Sequence, residues 1–312
     1  MNNDLLTMNC KMSENPIYIY NSNGDRIDIS TEPLLPGSEI PQYMDNTTRK
    51  GKAFEAYTYN GIAVPRVTSI LEYTMGNREY LMKWAAKLGP EYISTKRHSL
   101  DVGSKIHEVI AEYMTNGTLY TIQHLRGPIK EEVTNCFRNF LAWYNHIKRL
   151  GWKIEVVASE IPLICPWFAG TADLIVIING RKYVIDFKSS KSISPDYLIQ
   201  VSAYKWIIDN YYPEYGVIDG VGILRFDKHH DTYQDLFLDV SDPKDYHLIC
   251  HCQQIFSWAL NLFYSMNVVT KEISDIKNDK RWNKGRISKT DTSVLEKFDK
   301  KKGKEKWKAK TA

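Results

Sequence analysis

The chain has 312 residues, of which 43% are hydrophobic, so it can bury a sizeable core and is not a disordered or low-complexity polymer. Its net charge of +4 is unevenly spread: residues 276–312 hold 14 Lys and Arg against 5 Asp and Glu, leaving 27 basic and 32 acidic residues elsewhere. No run of about 18 apolar residues exists, which excludes a membrane-spanning helix, and five cysteines without a CxxC pair argue against a disulfide framework.

The first 16 residues lack a basic start followed by an apolar stretch, so no signal peptide is expected. With the cysteine pattern, this suggests an intracellular, soluble protein. Residues 1–50 read as an irregular extension, with a small hairpin around Asn23-Gly24 and a loop at "PLLPGSEIPQ". Residues 51–270 read as one domain, and 271–312 as a basic, disordered tail that suits a polyanionic partner.

Within the domain, "VTSILEYT" and "REYLMKWAAKLG" carry helical apolar spacing, and Gly89-Pro90 closes the second. "SLDVGSKIHEVIAEYMTNG" predicts a helix to Gly117, and "IKEEVTNCFRNFLAWYNHIKRLG" a long one to Gly151. The pattern then turns to strands: "KIEVVASEIPLI", "TADLIVII" and "KYVIDFKS". A helix follows in "SPDYLIQVSAYKWIIDNYY", with Ser194 as N-cap and Pro195 in its first turn. Two more strands, "YGVIDGVGILRFD" and "TYQDLFLDV", precede a last helix over 243–266. This order predicts an α/β fold: a mixed central β-sheet flanked by helices, with an N-terminal helical segment.

The chemistry lies in one hairpin. Asn179-Gly180 suits a type I′ turn, because both residues accept positive φ. A two-residue loop pairs Ile178 with Arg181, and continuing the count sets Asp173 opposite Asp186. Opposed Cβ atoms are about 4.5–5.5 Å apart, where like charges destabilise. Both faces of the hairpin are apolar, so two carboxylates there repel unless a cation lies between them. A divalent metal is the simplest explanation. Lys188 lies two residues beyond Asp186, hence on the same face, beside that cation.

These residues resemble the PD-(D/E)XK nuclease superfamily in its RecB-like branch. Asp173 stands at the first acid, and "DFK" at 186–188 matches the (D/E)xK element. "GSKIH" supplies His107 in the branch's G-x-x-x-H context, "QVSAY" supplies Gln200 and Tyr204 of its Q-x-x-x-Y helix, and Glu160 fits an additional acid. "VPRVTSIL" followed by "LMKWAAKLG" is similar to the entry segment of phage-type and mitochondrial genome maintenance exonucleases. The resemblance covers roughly 60–270 and implies a restriction-endonuclease-like core and hydrolysis of DNA phosphodiester bonds.

It further implies a metal held by His107, Asp173, Asp186 and the Phe187 carbonyl. Mg²⁺ fits that set, with Mn²⁺ as a substitute. Lys188 would orient a water and stabilise charge on the phosphate, Gln200 would position Lys188 or the phosphate, Tyr204 would support the site, and Glu160 would bind a second metal or act through water. Tyr73, Arg78, Lys83, Trp84 and Ser189 are candidates for contacting the DNA, and Trp282 and Trp307 for stacking on bases. Only Cys250 and Cys252 lie close together, so no iron–sulfur cluster is expected. His247, Cys250, His251 and Cys252 share one predicted helix without a second ligand pair, which does not make a zinc site. An exonuclease acting at single-stranded ends in replication, recombination or repair is the expected function. The alternatives are a structure-specific endonuclease, an RNA-processing nuclease and a catalytically silent nucleic-acid-binding protein.

Overall fold

The computed structural model describes residues 18–20, 26–28, 57–59, 62–76 and 78–278. The turn at Asn23-Gly24, the loop at 33–42 and the basic stretch with Trp282 and Trp307 lie outside them. The chain divides into two units, Met1–Val268 and Val269–Ala312; the described part of the second is helical to Asn278.

Two short antiparallel pairs come first: β1 (Tyr18–Tyr20) with β2 (Arg26–Asp28), and β3 (Thr58–Tyr59) with β4 (Ile62–Ala63). The helices α1 (Val67–Met75), α2 (Arg78–Leu88), α3 (Tyr92–Asn116), α4 (Tyr120–His124) and α5 (Gly127–Arg149) follow. Then come β5 (Ile154–Ile164), β6 (Ala169–Ile178) and β7 (Arg181–Lys188), the helix α6 (Pro195–Tyr211), β8 (Gly220–Phe226), β9 (Tyr233–Asp239) and α7 (Pro243–Asn278).

The strands β5 to β9 form one five-stranded mixed sheet in sequence order. All neighbours are antiparallel except β7 and β8, which α6 connects, as a parallel pair needs a crossover. The expected α/β class, with a mixed central sheet flanked by helices, is therefore observed. Asn179 and Gly180 both take positive φ, 52° and 80°, as the type I′ turn requires. The resulting register runs from Ile178 opposite Arg181 to Leu174 opposite Ile185, as counted from the sequence.

Alternation along these strands feeds two cores. Ile175, Val184, Val221 and Ile223 pack with α1, α6 and α7. Leu174, Val176, Ile185, Phe187 and Leu224 pack with α3 and α5 on the other face. Phe140 of α5 is fully buried there among aromatic rings, and its burial contributes about 1.5–3 kcal/mol.

Some element boundaries differ from expectation. Gly89-Pro90 ends α2, but a 3₁₀ turn over Gly89–Glu91 leads straight into α3, which starts at Tyr92 rather than near Ser99. The left-handed φ of Gly89, 55°, lets the chain turn without a linker. Ser194 has extended N-cap geometry, but its hydroxyl bonds the Asp196 carboxylate instead of the backbone. The short helix α4 was not anticipated, and α7 runs on to Asn278. Cys136, Cys165 and Cys252 are free, buried thiols. No described helix is long and apolar enough to cross a membrane.

Candidate metal centre

Five elements converge at one end of β6 and β7. Beyond the Leu174–Ile185 pair, Asp173 and Asp186 are the next residues on the two strands. Asp173 is buried and anchored: its Oδ2 accepts the Phe187 backbone N–H at 2.6 Å, and its Oδ1 lies 3.1 Å from His107 Nδ1. His107 comes from α3 across the second core, with its ring edge-on to Phe187 at 5.9 Å between centroids. Gly103, one turn earlier, lies where α3 passes the end of β7: a Cβ there would meet Ser189 Oγ at 3.7 Å, an ordinary van der Waals contact.

Glu160 arrives from β5. Ser159 pairs with Leu174 and Ile161 with Ala172, so Glu160 lies level with Asp173. This position depends on a register shift between Val156 and Ala158. Glu160 also takes a left-handed φ of 49°, a conformation that among the described non-glycine residues it shares only with the turn residue Asn179. Such a conformation costs about 1–2 kcal/mol and recurs at functional sites. His107, Glu160 and Asp173 each offer a ligand atom, all within 4.8 Å of one another.

Asp186 lies beside this group but faces α6. Its Oδ1 accepts from Gln200 Nε2 at 2.9 Å, and Lys188 Nζ stands 2.6 Å from its Oδ2. The Lys188 ammonium faces this buried oxygen, and no other described donor reaches it. Gln200 also accepts from Lys188 Nζ at 3.1 Å and donates to the Tyr204 hydroxyl at 2.9 Å. Tyr204 in turn packs on Gly170, three residues before Asp173.

Three carboxylates, from Glu160, Asp173 and Asp186, face one ammonium, from Lys188. With a neutral His107 the cluster carries two excess negative charges, which one divalent cation would balance. The titration behaviour agrees. Burial by itself lowers the His107 pKa, but the Asp173 carboxylate outweighs it and raises the value to about 9. Burial and then Asp173 raise Glu160 to about 7. Since Glu160 is exposed as a whole, the Asp173 charge is the cause that persists in water. Burial raises Asp186 above the usual carboxylate range against the pull of Lys188. Burial also opposes the charge on Lys188, yet Asp186 and Asp173 hold its pKa above the ordinary value. The upward shifts of Glu160 and Asp186 are in the direction expected where carboxylates crowd together without a cation between them. The donor set and the buried, underused Asp186 oxygen fit a hard or borderline divalent ion such as Mg²⁺ or Mn²⁺.

The sequence-derived candidates divide into two groups. His107, Glu160, Asp173, Asp186, Lys188, Gln200 and Tyr204 come together, with Phe187 contributing its backbone and Ser189 flanking. The proposed DNA contacts of the entry segment have other partners: Tyr73 packs edge-on to Phe263, and Trp84 to Tyr92. Lys83 is exposed, and the side chain of Arg78 lies outside the described residues.

Two neighbours of Lys188 were not singled out from sequence. The Tyr197 ring lies under its ammonium, with Nζ 4.8 Å from the centroid. Tyr197 precedes Gln200 by three residues and Tyr204 by seven, a helical spacing that could have revealed it. Arg225 of β8 pairs with Lys188 in the parallel ladder, is buried, ion-pairs with Asp227 and donates from Nε to the Ser190 carbonyl at 2.7 Å. It thereby fixes the chain just after Lys188. Single-sequence reading does not show a cation buried in an apolar strand to be paired. No family model matches the chain, and no curated protein matches it.

Proposed function

We propose that the chain is a divalent-metal-dependent deoxyribonuclease with a PD-(D/E)XK core, acting as an exonuclease on single-stranded DNA ends. One observation carries this reading: a buried pair of aspartates on adjacent strands, joined by a histidine, a third acid and a lysine held by a glutamine. A buried structural ion pair needs one acid and one base; here Lys188 pairs with Asp186, and Asp173 and Glu160 gather at His107 beside them. The preference for DNA, for free ends and for single strands rests on the sequence resemblance.

His107, Asp173, Asp186, Glu160 and the Phe187 carbonyl would hold the metal. When bound, Mg²⁺ would supply a water of lowered pKa and polarise the scissile phosphate. The chain's own residues do the rest. The Phe187 N–H and His107 fix the Asp173 carboxylate. Gln200, itself held by Tyr204, orients the Lys188 ammonium. Lys188 then donates to the attacking water or to a phosphate oxygen as negative charge grows there.

The test uses end-labelled linear single-stranded DNA, linear duplex and circular single-stranded DNA, each with Mg²⁺, Mn²⁺ or EDTA. Wild type should degrade linear single strands with metal only and leave circles intact, while Asp186→Ala and Lys188→Ala should degrade no substrate. Cutting of circles would replace the exonuclease by an endonuclease. DNA binding without cleavage under every metal condition would overturn the catalytic reading.

A further inference from the structure

We infer that Tyr197 is a positioning residue for Lys188, holding the ammonium by its ring face so that N–H groups stay available to a phosphate oxygen. The inference deepens the proposed function and rests on it for its catalytic meaning. Lys188 Nζ has three partners: Asp186 Oδ2 at 2.6 Å, Gln200 Oε1 at 3.1 Å and the Tyr197 ring at 4.8 Å. The side chain is only 17% exposed, so its direction is set by these three groups.

They are not equivalent once a cation and a phosphate enter. Asp186 is also a metal-ligand candidate, and a carboxylate shared with a metal holds an ammonium less firmly. Gln200 takes one N–H. The ring attracts the charge through its quadrupole and consumes no N–H donor. It therefore fixes the ammonium without neutralising it, as a group facing a phosphate requires. The same face of α6 delivers both neutral partners, Tyr197 and Gln200, one turn apart.

The test is a double-mutant cycle on the metal-loaded, full-length protein with single-stranded DNA. Tyr197→Phe keeps the ring and should keep kcat within about twofold of wild type. Tyr197→Leu should lower kcat by about 5–30-fold, the rate equivalent of a desolvated cation–π contact, with KM nearly unchanged. Because Lys188→Ala does not cleave, that arm of the cycle is read from the midpoint of urea unfolding, where Tyr197→Leu should cost less stability than it does in wild type. An equal stability cost in both backgrounds, or a rise in KM alone as for a base-stacking residue, would overturn the inference.

A second readout does not need activity. In protein carrying ¹³C-labelled lysine, the methylene signals of Lys188, assigned with Lys188→Arg, should be shifted by the ring current. They should keep that shift in Tyr197→Phe and lose it in Tyr197→Leu. If the wild type cleaves nothing but this pattern appears, the nuclease reading fails while Tyr197 still positions Lys188. If the signals do not move in Tyr197→Leu, the inference fails whatever the activity.

Discussion

Gly170 precedes Asp173 by three residues, and its lack of a side chain keeps the Q-x-x-x-Y helix in contact with the acid-bearing strand. A Cβ at this position would lie 2.9 Å from both Cζ and Oη of Tyr204, closer than real side chains approach. The ring cannot retreat easily, because Tyr204 is buried in the core. Gly170→Ala should therefore overpack the site, at a cost of about 1–3 kcal/mol. If Tyr204 swings away, its hydrogen bond to Gln200 is lost, about 1 kcal/mol more. The backbone at 170 is not left-handed, so the entropic gain of Gly→Ala, about 0.4–1 kcal/mol, works in the opposite direction. The net expectation is a loss of about 1–3 kcal/mol, read from the midpoint of urea unfolding at constant slope. Gly222→Ala is the control, since its Cβ would meet Phe237 and Ile185 instead. It should lose comparable stability yet keep the activity of each folded molecule, whereas Gly170→Ala should lose both. Unchanged stability in Gly170→Ala would refute the close approach of Tyr204.

Further outcomes follow from the charges and the backbone. In EDTA, the raised pKa of His107, from 6.5 to about 9, stabilises the fold fully below pH 6.5, and that stability is lost as pH rises through 9. After allowance for the exposure of the ring, thermal melts should register about 1–2 kcal/mol over that window. Saturating Mn²⁺ should remove the dependence, as should His107→Gln, because the metal needs the neutral imidazole. Glu160→Gly should be more stable than Glu160→Ala by about 1 kcal/mol in chemical denaturation, since both lose the carboxylate and only glycine accepts a φ of 49° freely; equal stabilities would show that no strain is stored there. Arg225→Met should cost about 1–3 kcal/mol by taking the donor from Asp227 Oδ2 and from the Ser190 carbonyl, while His229 and His230 still serve Asp227 Oδ1, and Asp227→Asn in the same chain should restore part of it. Additive losses would show that the pair is not coupled.

The hairpin was the most legible part of the sequence. Asn179-Gly180 fixes the turn, and the turn fixes the register as far as Leu174 opposite Ile185, with Asp173 and Asp186 the next residues on the two strands. Gln200 and Tyr204 came through the resemblance to a Q-x-x-x-Y helix, which their positions one turn apart match. Glu160 was harder: its place beside Asp173 depends on the register shift in β5 and on a left-handed φ, and neither has a glycine or a turn residue to announce it. Gly170 and Arg225 were not readable at all. One depends on which ring packs against it, and the other on a parallel pairing across the α6 crossover. The start of α3 was missed because a Gly-Pro stop signal also opens a 3₁₀ turn.

Mn²⁺ binding and cleavage of linear single-stranded DNA, measured on the same preparations, test the central claim most directly. Wild type should bind Mn²⁺ and cleave. Asp173→Ala should fold but lose both, and Lys188→Ala should keep Mn²⁺ and lose cleavage alone. A Lys188→Ala protein that still cleaves, or an Asp173→Ala protein that binds Mn²⁺ as tightly as wild type, would contradict a metal centre built on the paired aspartates and served by the lysine.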